Sequence, residues 1–361
     1  MAGNPRWSAV AIVLLVGVLS CSLAAPGVQA ATPAPAGGLR LKGAGATFPA
    51  PLYQHWFAAY AATRPNVAVS YAAVGSGEGI RRFIGKNVAA EERVDFGASD
   101  AAMRDEEMAA VSGGVLLLPV TAGSVVLAYN LPNVPELRLS RRAYAGIFLG
   151  EIREWNHPLI AETNRGTQLP KLTITTVVRQ DASGTTFAMT KHLDAISETW
   201  RARYGPATLV DWPGAAMRAR GNEGVAGRIK QSLGSIGYVN YGAARAAGVT
   251  AALLQNRDGN MVRPGDASGT AALDAVELPE NLRLFVPDPA GRDAYPILTL
   301  TWILLYRTYP DAAKAEAIRD LFRWCLVEGQ EHSGALGYVR LSPSVASKAL
   351  AALDGVRSGA H

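Results

Sequence analysis

The segment Arg179-Gln180-Asp181-Ala182-Ser183-Gly184-Thr185 places a cation, a carboxylate, two hydroxyls and a glycine within one short stretch. Those groups suit an anion. Arginine offers charge and a planar fork of donors. Glycine, lacking Cβ, lets the backbone approach a ligand, and the serine and threonine hydroxyls add donors. The chemistry needs a frame, and the flanks supply one. Residues 172–178 alternate with β-branched side chains and read as a strand, and residues 186–193 read as a helix. The segment is therefore a strand-to-helix junction, where free N–H groups and the positive end of the peptide dipole attract anions. The same residues also fit a plain helix cap made by Ser183 or Asp181.

Two further junctions have this character. Gly43-Ala44-Gly45-Ala46-Thr47-Phe48-Pro49-Ala50-Pro51 follows a short strand at 39–42 and precedes a helix with Leu52, Trp56, Phe57 and Tyr60 on one face. It lacks the third glycine of a dinucleotide fingerprint. Gly75-Ser76-Gly77-Glu78-Gly79 lies between a strand marked by Val67, Val69 and Tyr71 and a helix marked by Ile80, Phe83 and Ile84. A short strand at 94–99 ends in a carboxylate, Asp100. Ligands of α/β sheets sit at the carboxyl ends of strands, so Thr47, Phe48, Ser76 and Ser183-Gly184-Thr185 are placed to converge.

The rest of the chain continues the alternation. Residues 115–120 and 124–129 read as two strands separated by Thr121-Ala122-Gly123. Residues 141–149 read as a helix capped by Ser140, 223–233 as a helix, 236–240 and 297–306 as strands, and 311–327 and 345–353 as helices. Asp258-Gly259 has hairpin-turn chemistry. The pattern is α/β with largely parallel sheets. Asp266-Ala267-Ser268-Gly269-Thr270 echoes Asp181 to Thr185, but no long strand precedes it, so it reads as a helix cap in a loop.

Composition narrows the function classes. The 361 residues are 49% hydrophobic and 18% charged, long enough for two domains. The 35 basic and 30 acidic residues are interspersed, which argues against nucleic-acid binding. Residues 1–30 read as a secretory signal: Arg6, an apolar run, then Val28-Gln29-Ala30 before the cut. Val18-Leu19-Ser20-Cys21 is an imperfect lipoprotein site, so lipid anchoring through Cys21 is the minor reading. With that signal removed Cys325 alone remains, in an apolar helical stretch, as a buried hydrophobe. The five histidines show no metal-ligand spacing, Ser183 has no evident histidine partner, and there is no P-loop lysine pattern. No catalytic residue, metal or cofactor is expected.

The chain resembles the periplasmic phosphate-binding proteins of phosphate-specific ABC transporters over nearly its whole length after the signal. The resemblance rests on the Gly43 to Pro51 segment, Asp95-Phe96-Gly97-Ala98-Ser99-Asp100, Arg179 through Thr185, Ser235-Ile236-Gly237-Tyr238-Val239 and Tyr295-Pro296-Ile297. It implies a two-lobed α/β periplasmic-binding-protein fold with a ligand cleft between lobes joined by two crossovers. Lobe I would comprise residues 31–122, after a flexible leader, and 295–361; lobe II would comprise 123–294. It further implies that Thr47, Phe48, Ser76, Asp100, Arg179, Ser183, Gly184 and Thr185 contact inorganic phosphate and that Asp181 braces Arg179. The partners would be phosphate and the ABC permease subunits, with the protein a monomer in the periplasm or at the cell surface.

Asp100 narrows the ligand within that resemblance. A carboxylate facing an anion repels it unless the anion donates a proton, which phosphate does at neutral pH and sulfate does not. An unpaired, desolvated clash costs on the order of 1–3 kcal/mol, more when charged. Asp100 also fits as a structural partner for Arg179. Glu78 departs from the small residue usual in that turn, and is expected to point to solvent. Another tetrahedral oxyanion, or a phosphatase-like enzyme on the same fold, are the alternatives.

Overall fold

The computed structural model describes residues 38–359. The expected signal sequence, its expected cleavage site and Cys21 lie outside them. Strands β1 (Leu39–Gly45), β2 (Val67–Ala73), β3 (Phe96–Ser99) and β4 (Val115–Asn130) come first, with helices α1 (Ala50–Thr63) after β1 and α2 (Ser76–Ile84) after β2. Helix α3 (Arg141–Phe148) follows, its start capped by the Ser140 hydroxyl. Then come β5 (Thr175–Arg179), α4 (Gly184–Ile196), β6 (Met217–Ala219), α5 (Gly221–Gln231) and β7 (Ser235–Asn240). Strand β8 (Leu298–Tyr306) and helices α6 (Ala312–Leu326) and α7 (Pro343–Leu353) close the chain.

The strands pair in the order β2-β1-β3-β8-β4-β7-β5-β6. The two ends of this path are parallel, β2-β1-β3 and β7-β5-β6. The middle is antiparallel, because β8 runs against both β3 and β4, and β4 runs against β7. The largely parallel sheet expected from the sequence is thus two parallel sets joined by antiparallel neighbours.

Strand β4 makes that join. Its first part pairs with β8 as far as Ser124, and from Val125 onward it pairs with β7. The sequence reading split this stretch at Thr121-Ala122-Gly123, whereas the structure runs one buried strand through it. Gly123 is small for a packing reason instead: a Cβ there would stand 2.8 Å from the Phe48 ring. The register shifts between Thr301 and Trp302 opposite Pro119, a bulge that accommodates a residue with no N–H for the ladder.

One continuous apolar core lies beneath these strands. Leu52, Tyr53, Trp56, Phe57 and Tyr60 of α1 are buried at helical spacing, as are Ile318, Leu321, Phe322 and Cys325 of α6. Trp155 and Trp302 are fully enclosed. The Asp258-Gly259 turn does join an antiparallel pair, Leu254 opposite Val262. The echo motif differs from its reading: Asp266 to Thr270 lie within a helix, Asp266–Asp274, that has no side-chain cap. Its Ser268 hydroxyl turns back to the Arg263 and Gly265 carbonyls. No helix among the described residues is long and apolar enough to cross a membrane.

Candidate functional site

Strand register brings the site loops together. Gly45 lies beside Ala73 on β2 and Ala98 on β3, so the loops carrying Thr47, Ser76 and Asp100 leave the same edge side by side. In the other parallel set Arg179 lies beside Ala219, and the chains then enter α4 and α5. The two edges meet. Gly77 N donates to Ala182 O at 3.1 Å, and Gly184 N donates to Ser76 Oγ at 3.1 Å. An alanine at 184 would put its Cβ 2.5 Å from Asp100 Cβ and 2.7 Å from Ser76 Oγ, so only glycine permits this approach.

The donors at this meeting are unspent. Ser76 Oγ accepts from Asp100 N (3.2 Å) and Gly184 N. Thr47 Oγ1 accepts from Asn222 N and Nδ2, Thr185 Oγ1 accepts from Asn222 Nδ2, and Ser183 Oγ accepts from Thr186 N. A hydroxyl that accepts keeps its proton to give. None of these four donates it to another described residue. Ser183 is both the cap of α4 and a member of this set, so the two sequence readings coincide. The starts of α2, α4 and α5 face this place, and α1 begins just after Thr47-Phe48, adding positive dipole ends. Phe48 itself is buried: its carbonyl accepts from Tyr338 OH (2.6 Å) and Asn240 Nδ2 (3.1 Å), while its ring stacks edge-on against Tyr338.

Arg179 carries the formal charge and is only 2% exposed. Its Nε bonds Asp181 Oδ1 at 2.9 Å and its Nη2 bonds Asp181 Oδ2, which leaves Nη1 without a partner among the described residues. Asp181 also accepts from Gly221 N at the start of α5. Burial works against the Asp181 carboxylate, but the Arg179 hydrogen bonds and charge outweigh it and hold its pKa below the usual range.

Asp100 is enclosed beside this pair. Thr301 Oγ1 donates to its Oδ1 at 2.7 Å, because the antiparallel register of Trp302 against Ser99 brings Thr301 alongside. The direct Arg179 bond allowed by the sequence does not form; the guanidinium acts on Asp100 through its field. Burial pushes the Asp100 carboxyl up to about 7, against the pull of Thr301 and Arg179. Its Oδ2 has no partner among the described residues.

A family model described as a PBP superfamily domain matches residues 29–326. The phosphate-binding protein PstS of Xylella fastidiosa is 36% identical over 85% of this chain and 83% of its own length. The chain belongs to this family. PstS of Pasteurella multocida is 35% identical over 85% of this chain and 88% of its own. Among solved structures, a high-affinity periplasmic phosphate-binding protein bound with phosphate aligns with a TM-score of 0.72 at 24% identity, covering 87% of this chain and 93% of that one, which shows the shared fold.

Glu78 sits in the first turn of α2 without opposing an anion. Its carboxylate is held by Arg81 and Arg82, which in turn hold Glu92. Those bonds, Arg81 first, bring its pKa down to about 2. It is thus ion-paired rather than simply solvated. The sequence reading missed Asn222, Asn240 and Thr301. The first could have been found: Arg220-Gly221-Asn222 before α5 is a fourth strand-to-helix junction, hidden because β6 has only three residues. Thr301 gave no local signal, since it sits inside an apolar strand. No group of three side chains suited to a metal occurs among the described residues.

Proposed function

We propose that the protein binds inorganic phosphate between two lobes and delivers it to an ABC permease. The observation that carries this reading is Asp100 Oδ2 and Arg179 Nη1, both without partners among the described residues, beside four hydroxyl protons that no described residue receives. Thr47, Ser76, Ser183 and Thr185 would donate through hydroxyls, and Phe48, Ser76 and Thr185 through N–H groups. Gly184 would serve by close approach, with its own N–H on Ser76. The lobe boundaries proposed are 31–122 with 295–361, and 123–294; the change of β4's partners at Ser124/Val125 supports them. A hinge about these crossings would open and close the cleft, and the permease would recognise the closed form. The chain would work as a monomer outside the cytoplasmic membrane, after loss of residues 1–30.

Binding rather than catalysis fits the neighbours of Ser183. His192, the histidine on the same helix, is committed to Tyr144 OH at 2.9 Å and to Pro287 O. Specificity would come from the proton between Asp100 and the anion. Phosphate brings one and tolerates an ionised Asp100. Sulfate binds well only when Asp100 is itself protonated. The preference for phosphate therefore grows as pH rises through about 7.

Calorimetric titration of wild type and Asp100→Asn with phosphate and sulfate tests this reading. Wild type is expected to bind phosphate in the presence of excess sulfate, with sulfate competing better in acid, and the variant to discriminate less. Equal affinity of wild type for both anions at mildly alkaline pH sinks the Asp100 argument. Preference for sulfate or a phosphonate names a different oxyanion.

A further inference from the structure

Asn222 is 1% exposed, and its backbone N and side chain take part in four hydrogen bonds among the described residues. Its backbone N and its Nδ2 donate to Thr47 Oγ1 at 3.2 and 3.0 Å. The same Nδ2 donates to Thr185 Oγ1 at 3.2 Å. Its Oδ1 accepts from Asn240 N at 3.0 Å. Thr185, Asn222 and Asn240 lie in the 123–294 segment and Thr47 in the other, so the Thr47 bonds span the two.

The direction of these bonds matters more than their number. A backbone N–H can only donate, so Asn240 settles which end of the Asn222 amide is oxygen. The NH2 end must then face Thr47 and Thr185, giving one hydrogen to each hydroxyl. Thr47 Oγ1 accepts twice, which uses both of its lone pairs and leaves only its proton to offer. Thr185 Oγ1 accepts once from Asn222 and gives its proton to no described residue.

We infer that Asn222 is a positioning residue that turns the Thr47 and Thr185 hydroxyl protons toward the bound anion, and completes that arrangement only when the two segments are closed on each other. The inference rests on the phosphate reading above. Asn222 itself does not touch the ligand; it acts through two hydroxyls. A carboxylate in its place would reverse both bonds. Thr47 and Thr185 would donate to it and present lone pairs to the anion.

The test compares Asn222→Asp with Asn222→Ala, using inorganic phosphate in calorimetry and in stopped-flow binding. Asn222→Ala is expected to weaken binding through a faster off-rate, because its bonds to Thr47 form on closure. Asn222→Asp is expected to bind roughly tenfold more weakly still. The ratio of the two dissociation constants, in which the ligand's own titration cancels, narrows as pH falls and the introduced carboxylate protonates. The introduced carboxylate also repels the anion by charge alone, so the cycle below, which adds no charge, separates that repulsion from the loss of hydroxyl orientation. Asn222→Asp binding as tightly as Asn222→Ala overturns the inference.

A double-mutant cycle guards against misfolding of the aspartate variant. In a Thr47→Val, Thr185→Val background, Asn222→Ala is expected to have no further effect on affinity, whereas an undiminished effect overturns the inference. Wild type that binds another oxyanion but no phosphate sinks the phosphate reading alone, and the same variants then apply to that anion. Wild type that binds no oxyanion sinks both.

Discussion

Asp181→Asn separates the two tasks of Arg179. The guanidinium is almost wholly enclosed and, among the described residues, has a single counter-charge bonded to it, the Asp181 carboxylate, held at two points. Removing one partner of a buried pair costs about 3–5 kcal/mol, because the other charge is left uncompensated. Asparagine keeps the shape and one acceptor, so the lower part of that range is expected in ligand-free protein. Phosphate would bring a replacement counter-charge to the same guanidinium. Saturating phosphate should therefore narrow the stability gap between variant and wild type, which by linkage means that the variant binds phosphate more tightly than wild type. Equilibrium urea unfolding followed by tryptophan fluorescence, with and without phosphate, reads both quantities as midpoint shifts at constant slope. A ligand-free loss below about 1 kcal/mol would show that Arg179 is not an enclosed, dependent charge. A gap that phosphate leaves unchanged or widens would refute the claim that the anion and Asp181 share one guanidinium.

Three other outcomes follow from the geometry. Gly184→Ala forces atoms into sub-contact distances with Asp100 and Ser76, an overpacking cost of about 1–3 kcal/mol. It should weaken phosphate by tenfold to above a hundredfold on a calorimeter, and unchanged affinity would refute the close approach. Glu78→Gln should leave phosphate affinity within about twofold, since Arg81 and Arg82 already engage the carboxylate; a large gain would mean that Glu78 faces the ligand. The third concerns pH in ligand-free protein. Burial lowers His192 from 6.5 to about 4, so its neutral folded form loses stability as pH falls through that window. Burial raises Asp100 from 3.8 to about 7, so its contribution falls as pH rises across nearly the same window. The two slopes oppose. Asp100→Asn should unmask the His192 slope, worth up to about 3 kcal/mol between mildly acidic and near-neutral urea midpoints. A variant with the wild-type slope would show that Asp100 does not titrate there.

Local sequence determined more of this protein than its middle strands suggest. Gly, Ser and Thr residues after strands marked three of the four helix starts at the site, because close backbone approach and free N–H groups need small residues wherever they occur. Asp181 as the brace of Arg179 was implied by the family resemblance, and the structure pairs the two residues within one turn. What the sequence could not carry is everything set by pairing at long range. Whether Thr121-Ala122-Gly123 turns or runs straight depends on β8, about 180 residues later, supplying a partner on one side. The neighbour that bonds Asp100 was settled by antiparallel register, which chose Thr301 over Arg179. The direction in which Thr47 offers its proton was settled by Asn222 from the opposite side of the join. Residue types fixed which donors were available. Only the tertiary structure decided which of them remain unspent, since a hydroxyl's proton is free or used according to a neighbour that chain order does not reveal.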